Sequence, residues 1–514
     1  MILCAPDFSL RGVTATSAIS PSDIVMLVPA DRSLIVTNNR QPTPFPEFVP
    51  PEIWGESLWF HRLAFKLLFD TILPQDSSKN SWLSQLPPTF STPLHWPMKD
   101  REALQYGSLE SKIRLQAEEW QTFYERWQDS TRSAERVDIT PSKISFDKFI
   151  WALECVNSRA FSGVYEGSEF AERQRLLIFA AGLGILWPTL QLSSWDQSIS
   201  AFIVVAASIF VRDIIFAKIG QLKRYVLCPV VDMFNHKSTA KADVSYNYFS
   251  DKFEVRIDSS YQPGEQVFIS YGKQSNDRLL QFYGFVDSDN IYDLYDFGTS
   301  IVELILSYAD EMSASNPIPS TNTLTAQERL TIISAALENT QVVEASSDNN
   351  KRKISSGSHS VRVFRTSPAL LNAKLAAAPA LSEGSISNSV TSRFDELSVR
   401  AVRALYSSPA EWEQAFSSSL SSSTYNLDRL GSPLSRETER KVEAALRSLL
   451  SAELAAKPTT LEEDVAELRL LQTQMKAPSG SDKVAASGMY EDSAIAAIAF
   501  RIEKKKLLTE ILEL

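Results

Sequence analysis

Three textures of apolar and polar residues follow one another along the chain. Residues 1 to about 40 alternate, with Ser20, Pro21 and Ser22 as a turn before "DIVMLVPADRSLIV", and this predicts short strands. From Pro51 to Arg159 apolar positions recur every three or four residues in "ESLWFHRLAFKLLFDTIL", "LESKIRLQAEEWQTFYERW" and "FDKFIWALECVNSRAF", which predicts helices separated by Pro-bearing loops. After Arg224 the strand pattern returns in "YVLCPVVDMF" and then in "VSYNYFSDKFEVRIDSSYQPGEQVFISY", read as a hairpin followed by a strand ending at Tyr271. The β part is therefore split in sequence by a helical insert. Beyond Phe297 the pattern is helical, as in "RETERKVEAALRSLLSAELAA" and "EDSAIAAIAFRIEKKKLLTEIL", and "EASSDNNKRKISSGSHS" at 344 to 360 has the composition of a disordered loop.

One region breaks the amphipathic pattern. "LLIFAAGLGILWPTLQL" (176 to 192) and "ISAFIVVAASIFV" (199 to 211) are apolar around the whole helix, and the second continues past Arg212 and Asp213 into "IIFAKIG". A membrane span needs roughly 17 to 25 apolar residues, so the region, 176–217, is open to two readings, a buried helical hairpin or a membrane hairpin. Gly182 and Gly184 do not make a phosphate loop, since no strand precedes them and no further glycine follows.

Composition narrows the function classes. A chain of 514 residues predicts two or more domains. A net charge of -11 argues against direct nucleic-acid binding, which draws on a surplus of Lys and Arg to displace counterions. Cys4, Cys155 and Cys228 lack CxxC spacing, and His61, His95, His236 and His359 are dispersed, so neither a disulfide framework nor a metal site is expected. The start, "MILCAPDFSLRGVTATSAI", shows no charged stretch before a long apolar core, so no cleaved signal is read there unless the true start lies upstream.

The segments "PVVDMFNH", "PGEQVFISYG" at 263 to 272, "SNDRLLQFYGF" at 275 to 285, "SLRGVTATSAI" near the start and "VNSRAF" at 157 to 161 carry the candidate chemistry. In this order they resemble the SET-domain protein methyltransferases, in the branch of the Rubisco large-subunit lysine methyltransferase and the actin-histidine methyltransferase. "SWLSQLPPTFSTPLHWPMKDREALQYGS" is similar to that branch's helical insert, and "IAFRIEKKKLL" to the last helix of its substrate-binding domain. The apolar insertion after "SRAFSGVYEG" is similar to a plastid subgroup, the SET-domain protein of plastid transcriptionally active chromosomes.

The resemblance implies an α+β fold: a SET domain over 1–297, with a helical insert at about 50–160 and the apolar hairpin at about 173–221, and an all-α substrate-binding domain over 298–514. It implies S-adenosyl-L-methionine as cofactor and a protein substrate bearing an acceptor lysine. Tyr271 is the implied catalytic residue. Leu10, Arg11, Gly12, Arg159, Asn235, His236 and Tyr271 are implied on the cofactor side, and Asp232, Tyr246, Tyr283 and Phe285 on the substrate side, with Tyr248 competing for the place of Tyr246. Two departures stand out: Leu10-Arg11-Gly12 keeps only the second glycine of the family's Gly-x-Gly loop, and Gly163 occupies a place where relatives carry a basic residue. The absence of a cysteine-rich cluster after "YGF" implies a non-histone substrate. A scaffold with weak catalysis and a protein-histidine methyltransferase are the alternatives. The plastid subgroup implies a chloroplast location, the alternative being cytoplasmic or membrane-associated.

Overall fold

The computed structural model describes residues 2–3, 12–37, 42–72, 81–131, 144–164, 170–216, 219–220, 222–307, 325–347, 360–369, 371, 389–416, 427–476 and 488–514. Leu10 and Arg11 lie outside the described residues, as do 348–359, most of the loop expected at 344–360; the helix before it runs to Ser347.

Two compact units divide the chain. The first comprises residues 1–90 and 116–273 and the second 91–115 and 274–514. The chain passes between them after Phe90, again within the Gly107–Thr131 helix and a third time after Lys273, just beyond Tyr271.

In the first unit twisted short strands make three small sheets. The strands are β1 (Ile2–Leu3), β2 (Val13–Ala15), β3 (Asp23–Pro29), β4 (Leu34–Thr37), β5 (Phe161–Val164), β6 (Lys223–Leu227), β7 (Asn235–His236), β8 (Ala242–Asn247), β9 (Lys252–Ile257) and β10 (Gln266–Ile269). Their orders are β1-β2-β10-β7, β3-β9-β8 and β4-β6-β5. Alternation produces this: in β9 every second side chain, Phe253, Val255 and Ile257, is buried, and these meet Val13, Phe234 and Val267 in one core. The insert adds the Trp59–Ile72 and Phe146–Arg159 helices. Ser145 caps the second, its hydroxyl accepting the Lys148 N–H at 3.2 Å. An aromatic cluster of Phe48, Phe65, Trp127 and Phe149 packs there, with the Trp127 indole donating to the Phe48 carbonyl at 3.0 Å.

The second unit is helical around a core that includes Tyr106, Tyr295, Leu405, Leu446, Leu449 and Phe500. It holds a small sheet of β11 (Leu294–Asp296) and β12 (Arg362–Phe364) that the helical pattern beyond Phe297 does not announce. "RVF" is too short to show a period of two.

Candidate functional site

The predicted strand "YVLCPVVDMF" ends early, at Leu227. Pro229 has no N–H for a ladder, and Val230 turns the chain with φ 68, where the Val231 N–H donates to the Pro229 carbonyl at 2.8 Å. A β-branched residue at positive φ is strained by about 1–3 kcal/mol, which must be held by its surroundings. Two residues on, Arg159 fastens the turn at Asp232. The Arg159 guanidinium, at the end of its helix, donates to the Asp232 carbonyl at 2.7 Å and lies 3.4 Å from the carboxylate. In this structure the Arg159 cation is therefore turned to Asp232, and Asp232 is a buried carboxylate of the turn.

Burial pushes the Asp232 carboxyl above its ordinary value, against the pull of Arg159 and Trp82. A carboxyl raised by folding contributes stability that is fully present below its unfolded pKa, about 4, and is lost as pH rises through the folded value. The near-isosteric Asp232→Asn variant lacks this titration. Urea midpoints of the two proteins are expected to diverge as pH rises above about 4, with the wild type losing ground to the variant; parallel curves would exclude the raised carboxyl.

The turn delivers β7 to the side of β10. β10 is paired antiparallel with β2 (Val267 opposite Val13) and parallel with β7 (Phe268 with Asn235, Ile269 with His236). This places Gly12, next to Val13, against Asn235. A β-carbon at Gly12 would overlap the Gln266 side-chain amide and stand 3.0 Å from the Asn235 amide nitrogen, so a larger residue there would have to displace the Gln266 side chain.

Tyr271 follows β10 and is clamped by the residues around β7. Its backbone N–H donates to His236 Nδ1 at 3.0 Å, and its hydroxyl donates to the Phe234 carbonyl at 2.6 Å. The two rings stack with centroids 5.0 Å apart and planes 29° apart. An Nδ1 that accepts carries no proton, so the neutral ring holds its hydrogen on Nε2. His236 is thereby a positioning residue for Tyr271. A cavity of about 250 Å³ runs along residues 13–19 and 23–25 and reaches Phe234 and Val267, but none of the predicted site residues lines it.

Tyr246 is placed differently. Its hydroxyl donates to Asp251 at 2.6 Å and accepts from Arg173 at 2.8 Å, while the Arg224 guanidinium lies 3.8 Å over its ring. Burial and Asp251 push its phenol up despite Arg173. Any part Tyr246 takes in an acceptor channel falls to its ring, because its hydroxyl is engaged. Tyr248, its competitor, donates to Asp213 at 2.9 Å. The sequence reading missed Arg173, Arg224 and Asp251, whose only local signal was charge beside aromatic residues.

Tyr283 and Phe285 belong to the second unit. The Asn276–Tyr283 helix ends at Gly284, φ 79, where a β-carbon would lie 3.2 Å from the Ser91 carbonyl. Burial pushes the Tyr283 phenol up, and its ring meets Phe285 edge-on, 6.2 Å between centroids. Asn276 holds the following loop: its side chain accepts the Asp287 N–H at 3.0 Å and donates to the Asp287 carbonyl at 3.1 Å and to Asp293 at 3.1 Å. Beneath lies Lys504, also missed as a site residue, its ammonium 2.5 Å from Asp277 and 2.8 Å from Asp293 and donating to the Leu294 carbonyl at 2.6 Å.

With this geometry in hand, the chain can be set beside known proteins. Residues 367–508 match the domain family described as Rubisco LSMT substrate-binding. The crystal structure of the SET domain of LSMT bound to lysine and AdoHcy superposes with a TM-score of 0.54 at 16% identity, covering 100% of this chain and 86% of that one. The fold is therefore that of the LSMT SET-domain structure, with residues 367–508 similar to its substrate-binding family. Among curated relatives, ribosomal lysine N-methyltransferase set10 of Schizosaccharomyces pombe is 24% identical over 224 residues, 41% of this chain and 28% of that protein. Human SET domain-containing protein 4 is 36% identical over 64 residues, 12% of this chain and 14% of that protein. The chain thus spans less than a third of the length of either relative.

The SET fold implies S-adenosylmethionine, and the residues present fit it. Beside Gly12 the side-chain amides of Gln266 and Asn235 come close to the backbone, and Asn235, Gln266, His236 and Tyr271 offer neutral amide, imidazole and phenol groups. Such a set suits purine, ribose hydroxyls and a zwitterion, and places no cation against a sulfonium.

Proposed function

We propose that this chain is a protein-lysine N-methyltransferase that uses S-adenosylmethionine and acts on a non-histone protein. The observation that carries this reading is the clamp on Tyr271, whose amide is tied to His236 and whose hydroxyl is tied to Phe234. When bound, S-adenosylmethionine supplies a methyl group already activated by its sulfonium. What the protein adds is placement and desolvation. With its proton given to the Phe234 carbonyl, the Tyr271 oxygen has its lone pairs left for an amine hydrogen or a polarised methyl, in a direction set by the ring stack. Gly12, Asn235 and His236 are the residues that hold the cofactor in this reading.

A free lysine has pKa ~10.4, so presenting it neutral near pH 7 costs roughly 4–5 kcal/mol. Apolar and aromatic surroundings lower that cost by disfavouring the ammonium. The match of residues 367–508 to a substrate-binding domain supports a protein substrate, and three cysteines are too few for the zinc cluster that closes histone-directed channels.

Calorimetry with S-adenosylmethionine followed by a labelled-methyl assay on cell and plastid extracts tests the proposal. Heat of binding and a labelled protein carrying methyl-lysine are the expected results. Heat without label would replace the enzyme by a scaffold that retains the cofactor, methyl-histidine in the product would replace the acceptor, and neither heat nor label from folded protein would overturn the reading.

A further inference from the structure

The Phe170–Thr189 and Trp195–Phe210 helices, with the π-helical turn Val211–Phe216, invert the usual polarity of a packed hairpin. The buried residues of this region are Arg173, Pro188, Ser198 and Asp213. Large apolar side chains point outward instead: Ile178 is 71% exposed, Phe179 67%, Leu192 70% and Val204 63%.

Near the tip the two helices approach at small and polar residues. A β-carbon at Gly184 would touch the Ser198 carbonyl at 3.8 Å, and Ser193 in the connecting loop is hydrogen-bonded to the Ser198 hydroxyl at 2.7 Å. Close approach through small residues and hydroxyls, with Ile, Val and Phe outside, is how helices pair in hydrocarbon, where burial of apolar groups between helices offers no gain.

We propose that this hairpin seats the protein in a lipid bilayer. A protein partner covers one face of a helix, but consecutive residues lie about 100° apart around it, and Ile203, Val204 and Val205 in succession are all exposed. Only a solvent of apolar chains covers such a surface. From Leu176 to Trp195 and again from Gln197 to Val211 there is no Asp, Glu, Lys or Arg. The Trp195–Ile215 stretch has 21 residues, with Asp196 near one end and the Arg212–Asp213 pair near the other, and reaches about 31 Å, against a hydrocarbon core of about 30 Å.

Polar groups gather at the root. Arg212 pairs with Asp213 at 2.8 Å, Asp213 accepts from Tyr248, and the Arg173 guanidinium lies 3.8 Å over the Tyr248 ring. Aromatic residues mark both ends: Trp187 and Trp195 beside the tip, and Phe210, Tyr248 and the 79% exposed Phe249 at the root. Aromatic rings at two levels are the signature of the two edges of an apolar slab. The root is tied to the end of β8 through Tyr246 and Tyr248, and both belong to the first unit.

Flotation of the full chain with phosphatidylcholine vesicles tests this, independently of any methyl transfer. Co-flotation that survives high salt and alkaline carbonate is expected, and the Ile203→Asp/Val204→Asp variant is expected to partition about a hundredfold less, since even one Asp at the centre of an inserted helix disfavours it to that degree. S-adenosylmethionine calorimetry and circular dichroism on the variant serve as controls for folding. Wild-type protein that stays at the bottom of the gradient would overturn the proposal, as would self-association in the absence of lipid that the same two substitutions abolish.

Discussion

Tyr271→Phe is expected to lower methyl transfer by about 10²-fold or more, with S-adenosylmethionine affinity changed by only a few-fold. The substitution keeps the ring on His236 and the backbone N–H on Nδ1, so the turn and β7 remain in register. What disappears is one hydroxyl and its bond to the Phe234 carbonyl. A single hydrogen bond of this kind contributes about 1 kcal/mol to stability, which barely moves the unfolding midpoint. On the proposed function, losing this oxygen acts on the transition state, where one preorganised polar group accounts for about 10²–10³ in rate. Single-turnover rates and calorimetric Kd, measured on the same preparations, separate the two effects. An unchanged rate would remove Tyr271 from the reaction centre, whereas equal losses in rate, affinity and stability would reduce it to a structural tyrosine.

Lys504→Met is expected to destabilise the second unit by about 3–5 kcal/mol, the usual cost of stripping one partner from a buried ion cluster. Lys504 is 3% exposed, and burial alone would lower its pKa; Asp277 and Asp293 reverse this and hold the ammonium above its ordinary range. A cation raised by folding contributes stability that is fully present below its unfolded pKa near 10.5 and is lost only as pH rises through the folded value, so the whole contribution is present at neutral pH. Removing it leaves two buried carboxylates facing one another beneath Asn276, which positions the loop after Phe285. Chemical denaturation gives the loss directly. Adding Asp277→Asn and Asp293→Asn to Lys504→Met is expected to restore most of it, because the repulsion goes with the charges; a triple variant as unstable as the single one would locate the cost in packing instead.

How far the site was legible differs residue by residue. Gly12, Asn235, His236 and Tyr271 were picked out by the ordered set of short segments that resembles the SET family, and the register of β2, β10 and β7 brings them together. The role of His236 was not, because an imidazole reads alike whether it accepts from the Tyr271 amide or holds a ligand. The partner of Arg159 was equally hidden, since Asp232 lies far along the chain and only the sheet connections bring it to the helix end.

By itself the sequence determined the elements and their order: strands, a helical insert, strands again and a helical carboxy-terminal region, since propensity and periodicity act over a few residues. It also determined that 176–192 and 199–211 have apolar residues on every side. Only the tertiary structure decided which way those residues face, which cation holds Asp232, and which carbonyl receives the Tyr271 proton. These depend on closures between distant segments, and a hydrogen bond or a buried face exists only once both partners have been brought together.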